Sequence, residues 1–276
     1  MDIVYIVKKN DLNNFELRCS LRSIEKYGKG IKNVFVVGHC PDWLSDDVIK
    51  IPYEQPWKGE NLTHFKKASN IASSILHVCQ DERLGDHFLV SMDDHFYTNR
   101  VNFDNYPIHL KNYNRSFGGD KVYTELPKNV CDVNHMPATA APRIATAYID
   151  FLYHTRLILE SHNLPCHNFT LHRNMHVWKT DILENYDLLS SWIENAECPE
   201  IFVWAGNYGL SKNRFKYEDC KTTFDNKILN IDPDHLELQW YKSSMYDVFS
   251  TCDFDRDSKI YEYLGIRYPK KCKYEK

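Results

Sequence analysis

The residues best suited to chemistry gather at Met92-Asp93-Asp94-His95, directly behind the apolar run His87-Phe88-Leu89-Val90-Ser91-Met92. Two adjacent carboxylates repel each other, and keeping both ionised calls for a cation or several donors. A divalent metal held by one or two carboxylates and a substrate diphosphate meets that need, because Mg²⁺ keeps few protein ligands. Successive side chains of an extended strand point to opposite faces. Asp93 and Asp94 therefore serve one site only if the chain turns there, or if one holds metal and the other a ribose hydroxyl. Ligands of open α/β sheets collect outside the carboxyl ends of strands. Asp-Asp is also common in solvated turns, and position alone gives the two readings about equal weight.

Cations that could reach phosphate oxygens at the same edge are Arg18 and Arg22, one helical turn apart, and Lys66-Lys67. Their plainer reading is a charged helix face, with Glu25 three residues beyond Arg22, and exposed pairs of that kind contribute little. Thirteen histidines are present. In the group His162, His167, His172 and His176 only the last two have helical i,i+4 spacing, and the zinc-hydrolase pattern H-E-x-x-H is absent. Glu218-Asp219 is a second acidic pair, read here as a solvated turn in preference to a general base. No phosphate-binding Walker loop, Gly-x-Gly-x-x-Gly run or Gly-x-Ser-x-Gly elbow occurs, which leaves kinase, dehydrogenase and serine-hydrolase readings without support.

These residues need a scaffold, and the first hundred positions supply strand–helix units. Ile3 to Val7, Val34 to Val37, Val48 to Ile51 and His87 to Met92 read as buried strands. A helix capped at Asn13 or Asn14 carries Leu17, Leu21 and Ile24 on one stripe and is stopped by Gly28 and Gly30. A second runs from about Asn61 to Cys79. Residues 99–135 lack periodicity and read as an excursion over the site. A helix from Pro142 to Ser161 follows, then shorter elements at Thr180 to Leu189, Glu200 to Ala205, Ile228 to Ile231 and Asp257 to Leu264. Strands alternating with helices predict an α/β fold with a mostly parallel central sheet.

The chain has 276 residues, 43% of them hydrophobic and 14% aromatic, which excludes disorder as its main state. A net charge of −4 gives no bulk drive toward polyanions. No apolar run approaches a membrane span. The apolar start behind Met1-Asp2 lacks a basic leader, so a cytoplasmic protein is expected. Nine cysteines, odd in number and without C-x-x-C, read as free thiols. The three Asn-x-Ser/Thr sequons carry little weight without secretion.

Phe15 to Tyr27, Ile31 to Gly38 and Pro41-Asp42-Trp43-Leu44 together resemble the first part of the Stealth family of sugar-phosphate transferases. The stretch from Ala68 to His77, leading into His87 to Tyr97, is similar to that family's second region, which ends in an Asp-Asp motif before aromatics. Met175 to Lys179 with Ile182-Leu183-Glu184 looks like the third, and Val248 to Asp253 with Tyr268 to Glu275 looks like the last. The matches follow the family's order across most of the chain. The resemblance implies a glycosyltransferase-A-like (nucleotide-diphospho-sugar transferase) fold and a nucleotide-sugar donor. It also implies a divalent metal, Mn²⁺ or Mg²⁺, at Asp93-Asp94 and a functional histidine at His176. One turn departs from the family: a Trp-Val-Asp/Asn-Gly sequence after the first strand is replaced by Ile6-Val7-Lys8-Lys9-Asn10-Asp11.

The expectation is therefore a single transferase domain over 1–276, with a nucleotide-sugar half at about 1–98 and an acceptor half at about 99–276. It moves a sugar to a glycan or a modified DNA base; sugar-1-phosphate transfer is the alternative. Asp94, His176 and Lys179 are the expected catalytic residues. Arg18, Arg22, Lys66 and Asp93 are expected at the donor, and Asp93, Asp94 and His95 at the metal. A metal there stabilises charge growing on the diphosphate, and a histidine with pKa near 6.5 can take the acceptor's proton. A different class stays open: a non-catalytic nucleic-acid binder using the basic tail Arg267, Lys270, Lys271, Lys273 and Lys276.

Overall fold

The computed structural model describes residues 1–59, 61–106, 142–167, 169, 174–215, 228–231, 248–251 and 256–276. Its centre is a five-stranded sheet ordered β4-β3-β1-β5-β8. The strands are β1 (Asp2–Val7), β3 (Asn33–Gly38), β4 (Val48–Pro52), β5 (His87–Met92) and β8 (Met175–Trp178). The first four are mutually parallel, and β8 runs antiparallel to β5. The chain is thus a mixed α/β protein with a mostly parallel central sheet, as its alternating pattern predicts.

Every residue of β1 is buried, and its alternation divides two cores. Ile3, Tyr5 and Val7 face Leu17, Leu21 and Ile24 of α1 (Phe15–Tyr27). Val4 and Ile6 face Ala68, Ala72 and Ile75 of α2 (His64–Val78). A sheet covered on both sides needs such continuous apolar strands, and β1 could not be read as half-exposed. α2 begins three residues later than Asn61, because the Thr63 hydroxyl accepts the Lys66 N–H at 3.3 Å and caps it.

The α2 side is deepened by α3 (Pro142–Ser161), α5 (Tyr186–Glu194) and α6 (Ile201–Ser211). Phe151, Leu159, Leu189, Val203 and Trp204 from these helices join the α2 core. The stretch expected as one segment over Thr180 to Leu189 is two helices, α4 (Lys179–Glu184) and α5, divided at Asn185 (φ −108°, ψ 23°). Glu200 to Ala205 proves helical, since the Glu200 carboxylate accepts the Val203 N–H at 2.7 Å as an N-cap.

Short strands extend the carboxyl edge. After Asp93-Asp94 the chain enters β6 (His95–Tyr97), which pairs antiparallel with β10 (Val248–Thr251), itself parallel to β9 (Ile228–Ile231). Gly28 does end α1, and with Lys29 it forms β2 against β7 (Val101–Asn102). A last helix, α7 (Lys259–Arg267), is capped by Ser258 and packs Ile260 and Leu264 on Cys19 and Phe96.

The tail does not behave as a loose basic end. Cys272, Tyr274 and Glu275 are buried, Ser45 N–H donates to the Tyr274 carbonyl at 2.9 Å, and Leu44 bridges Glu275. Of the nine cysteines, Cys19, Cys40, Cys79, Cys166, Cys198 and Cys272 are described, and all are free thiols. Among the described residues, no helix is long and apolar enough to cross a membrane.

Candidate active site at the carboxyl edge of the sheet

β1 has β3 on one side and β5 on the other, so the strand order reverses between β1 and β5. The crevice beyond their carboxyl ends is where open α/β sheets bind ligands. Met92 ends β5 opposite Ile6, which sets Asp93-Asp94 beside the Val7-Lys8 exit of β1. Both acids are half-buried in a turn, the geometry that lets neighbouring carboxylates share a site.

α1 controls where the chain goes after that turn. The Ser20 hydroxyl donates to the His95 carbonyl at 2.5 Å, and the Ser23 hydroxyl accepts the Tyr97 N–H at 3.0 Å. Small residues at 19, 20 and 23 let β6 lie close against the helix. His95 is buried, with Nδ1 3.4 Å from Asn174 Oδ1 and Nε2 3.8 Å from Asp94 Oδ1. Asp93, Asp94 and His95 are thus brought together. Among the described residues, no three His, Cys, Asp or Glu side chains form a ready metal cluster.

Along the same edge a cleft of about 820 Å³ opens over the ends of β1, β3 and β4. Lys8, Lys9, Tyr53, Trp57, Lys58 and Asn70 are among the residues that line it. Its floor depends on Gly38, whose φ of +103° and close approach to β1 exclude a side chain: a Cβ there would lie 2.4 Å from the Val7 carbonyl oxygen. The next residue, His39, donates its N–H to that carbonyl at 2.9 Å, and Tyr53 N–H donates to the Gly38 carbonyl at 3.1 Å. One wall is rigid. Asn70 accepts the Trp57 N–H at 3.0 Å and donates to the Trp57 carbonyl at 2.8 Å, while the indole N–H reaches the Ile193 carbonyl at 3.0 Å. Lys66 Nζ stands 4.8 Å over the Trp57 ring, which brings this lysine to the cleft.

Other expected site residues have different company. Arg22 grips Glu275 with Nε at 2.6 Å and Nη2 at 2.8 Å and reaches the Tyr268 carbonyl at 2.8 Å. Arg18 Nη1 lies 3.0 Å from the same carboxylate, and its guanidinium sits 4.2 Å over the Trp43 ring. Both arginines, expected at the donor, instead neutralise a carboxylate whose side chain is 1% exposed. Burial alone would raise the Glu275 carboxyl; the Arg22 hydrogen bonds and charge outweigh it and hold it below the usual value.

Lys179 lies at the amino end of β5, across the sheet from Asp94. Its ammonium donates to the Asp81 carbonyl at 2.7 Å and the Leu84 carbonyl at 3.3 Å, closing the connection between α2 and β5. β5 spans roughly 20 Å at about 3.3 Å per residue, so Lys179 does not meet the acidic turn. His176 stands opposite Leu89, with Nδ1 2.9 Å from His87 Nε2. His87 stacks on Trp178 at 4.4 Å, and His176 lies 5.8 Å from the Tyr106 ring. Burial lowers the His87 pKa, with Asp86 acting in the opposite sense. His176 is therefore part of a stack toward the amino half of β5. The antiparallel addition of β8 decides this, and no local pattern revealed it.

The remaining histidines separate. His162 meets Trp192 edge-on at 5.8 Å, and the His167 backbone is clasped by Asn207. His172, Glu218, Asp219 and most of 99–135 lie outside the described residues. Sequence reasoning missed Lys8-Lys9, Trp57 and Asn70. The lysine pair had a signal in its position right after the first buried strand; Trp57 and Asn70 had none.

No known family profile matches the chain. A stretch of 124 residues, 43% of this chain, is 32% identical to the N-acetylglucosamine-1-phosphotransferase subunits alpha/beta of Homo sapiens, and equally to those of Mus musculus. The match spans 9% of the length of those relatives. Among solved structures, apo mouse xyloside xylosyltransferase 1 aligns over 91% of this chain and 97% of its own, with a TM-score of 0.38 and 10% identity.

Proposed function

We propose that the chain is a sugar-transferring enzyme of glycosyltransferase-A-like type that uses a nucleotide-sugar donor. The observation that carries this reading is the half-buried Asp93-Asp94 turn at the β1/β5 reversal, beside a cleft bearing lysines and aromatic rings. The cleft has a nucleotide's requirements: Tyr53 and Trp57 offer flat apolar faces, and Lys8 and Lys9 offer charge to a diphosphate at the strand end. Lys66 extends that charge along the Trp57 wall.

Asp93 and Asp94 would hold Mn²⁺ or Mg²⁺, with the buried His95, Nε2 3.8 Å from Asp94 Oδ1, behind that carboxylate and not as a third ligand. Two hard carboxylate oxygens in a turn suit such ions, which take oxygen ligands and fill remaining positions from water and phosphate. When bound, the metal would supply positive charge against the leaving diphosphate. The chain's own part is orientation: the Ser20–His95 and Asn174–His95 contacts hold the acidic turn, and the Gly38 floor sets the depth of the nucleotide.

The acceptor is a saccharide or a base of modified DNA. The test is a screen of UDP-, GDP- and CDP-sugars with Mn²⁺ or Mg²⁺, following thermal shift and donor turnover. A metal-dependent shift lost in Asp94→Ala supports the reading; no binding or turnover of any donor overturns it.

A second reading, sugar-1-phosphate transfer, is favoured by the 32% identity to the phosphotransferase. The two differ in the bond broken. Glycosyl transfer cleaves the sugar–oxygen bond and releases a nucleoside diphosphate. Sugar-phosphate transfer cleaves the diphosphate bridge and releases a nucleoside monophosphate. Chromatography of the released nucleotide separates them.

A further inference from the structure

Several cations elsewhere on the described surface have an acidic partner. Lys50 pairs with Asp46 at 3.3 Å, Arg83 with Asp81 at 2.5 Å, Arg156 with Glu160 at 2.6 Å, Lys212 with Glu184 at 3.0 Å and Arg214 with Asp181 at 2.7 Å. One face gathers lysines that have no such partner. Lys26, Lys29, Lys270, Lys271 and Lys273 are all exposed, and none of them forms an ion pair among the described residues.

Contacts draw these lysines onto one surface. The Lys273 N–H donates to Glu25 Oε1 at 2.8 Å, which ties the tail to the last turns of α1. Lys26 Nζ lies 5.0 Å and Arg267 Cζ 5.9 Å from the Tyr27 ring, so α1 and the end of α7 meet there. Lys29 follows in β2. The carboxylates of these segments do not balance the charge. Glu275 is buried between Arg18 and Arg22, Glu25 accepts a tail N–H but keeps its charge, Glu262 is exposed on α7 and Asp104 lies against Gly30, so these carboxylates offset part of the lysine charge and not all of it. Gathering unpaired lysines costs mutual repulsion in a chain whose net charge is −4. The buried Glu275 anchor also fixes the tail, which lowers the entropy lost when a partner binds.

We propose that this face docks the phosphate backbone of duplex nucleic acid. The chemistry of the face selects that partner. Its cations are almost all lysines, point charges that meet phosphates without the fixed bidentate geometry of arginine, as sequence-independent backbone binding requires. It offers no open ring for stacking: Tyr27 is flanked by Lys26 and Arg267, and Tyr268 and Tyr274 are buried. Single strands are held by exposed aromatic platforms, and sugar rings also stack on such surfaces. A duplex presents phosphates and hides its bases, so it needs cations alone. The face adjoins the candidate site, since the Tyr268 hydroxyl donates to the Tyr97 carbonyl at 2.7 Å and Arg267 reaches the Thr98 carbonyl at 3.3 Å. The proposal stands apart from the transferase reading.

The test is fluorescence anisotropy of the full chain with a mixed-sequence DNA duplex across a salt series. With about five phosphates contacted, one per lysine, log K should fall against log salt with a slope of about −4.5, roughly 500-fold between 50 and 200 mM. The variant K270Q/K271Q/K273Q should flatten that slope by about 2.7, and K26Q/K29Q, on different elements, by about 1.8. The control K50Q/K212Q should leave it unchanged, and Asp94→Ala should abolish the donor-induced thermal shift while leaving duplex binding intact. Absence of duplex binding at 50 mM salt overturns the proposal. So does a slope that neither lysine variant alters, or tighter binding of single strands or of an acidic polysaccharide than of duplex.

Discussion

Replacing Glu275 with Ala tests how the fold holds its tail. The carboxylate accepts from Arg22 Nε at 2.6 Å, Arg22 Nη2 at 2.8 Å, Arg18 Nη1 at 3.0 Å and Cys272 N–H at 3.2 Å, with its side chain 1% exposed. Breaking a buried pair by removing one partner costs about 3–5 kcal/mol, because the other charge stays behind. Arg18 and Arg22 retain 26% and 15% exposure, so they rehydrate in part and the lower figure, about 3 kcal/mol, applies. With an unfolding entropy of about 2.1 cal/mol/K per residue, that is a fall in Tm of roughly 5 °C. Local release should precede global unfolding, so protease cleavage between Tyr268 and Lys276 should quicken in native buffer. Glu275→Gln keeps shape and one acceptor and should lose about half as much. The double-mutant cycle with Arg22→Met should give a coupling well above the scatter of independent sites. A Tm within 1 °C of the parent, with unchanged proteolysis, would refute the clasp.

Three further outcomes are expected. Gly38→Ala places a Cβ against the Val7 carbonyl in a left-handed conformation and should lower stability by about 2 kcal/mol in urea melts, abolishing nucleotide binding in surviving protein. Burial also raises the Cys40 thiol, but Cys40 is half-exposed in the cleft and should be alkylated slowly in native protein and protected by nucleoside diphosphate, as read by peptide mass spectrometry, whereas Cys19 and Cys79, fully buried with thiols pushed up to about 12, should not react. The depressed His87 pKa means the unfolded chain binds the proton more readily. Stability should therefore fall as pH drops below about 6.5, and His87→Gln should flatten that fall in urea midpoints measured between pH 7.5 and 5.5.

Much of the scaffold in the first hundred residues was legible from local pattern. Continuous apolar runs name β1, β3 and β5 because strands covered on both faces have no polar side to show, and Leu17, Leu21 and Ile24 name the buried stripe of α1. Asp93-Asp94 could be singled out because a strand end is where such sheets bind ligands. β6 was too short for periodicity to report, and the Asn185 break between α4 and α5 leaves no proline or glycine mark.

The sequence by itself determined the layered α/β architecture and the edge on which to look for a site, since both follow from side-chain periodicity within one element. Tertiary structure alone decided which charges serve that edge. Arg22 is claimed by a carboxylate 253 residues away, and Lys179 is carried to the far end of β5 by a strand that joins the sheet antiparallel. Trp57 and Asn70 become one wall through hydrogen bonds between a loop and a helix. A charged side chain takes whichever partner the packed elements bring within reach, and that choice depends on pairings that no local pattern records.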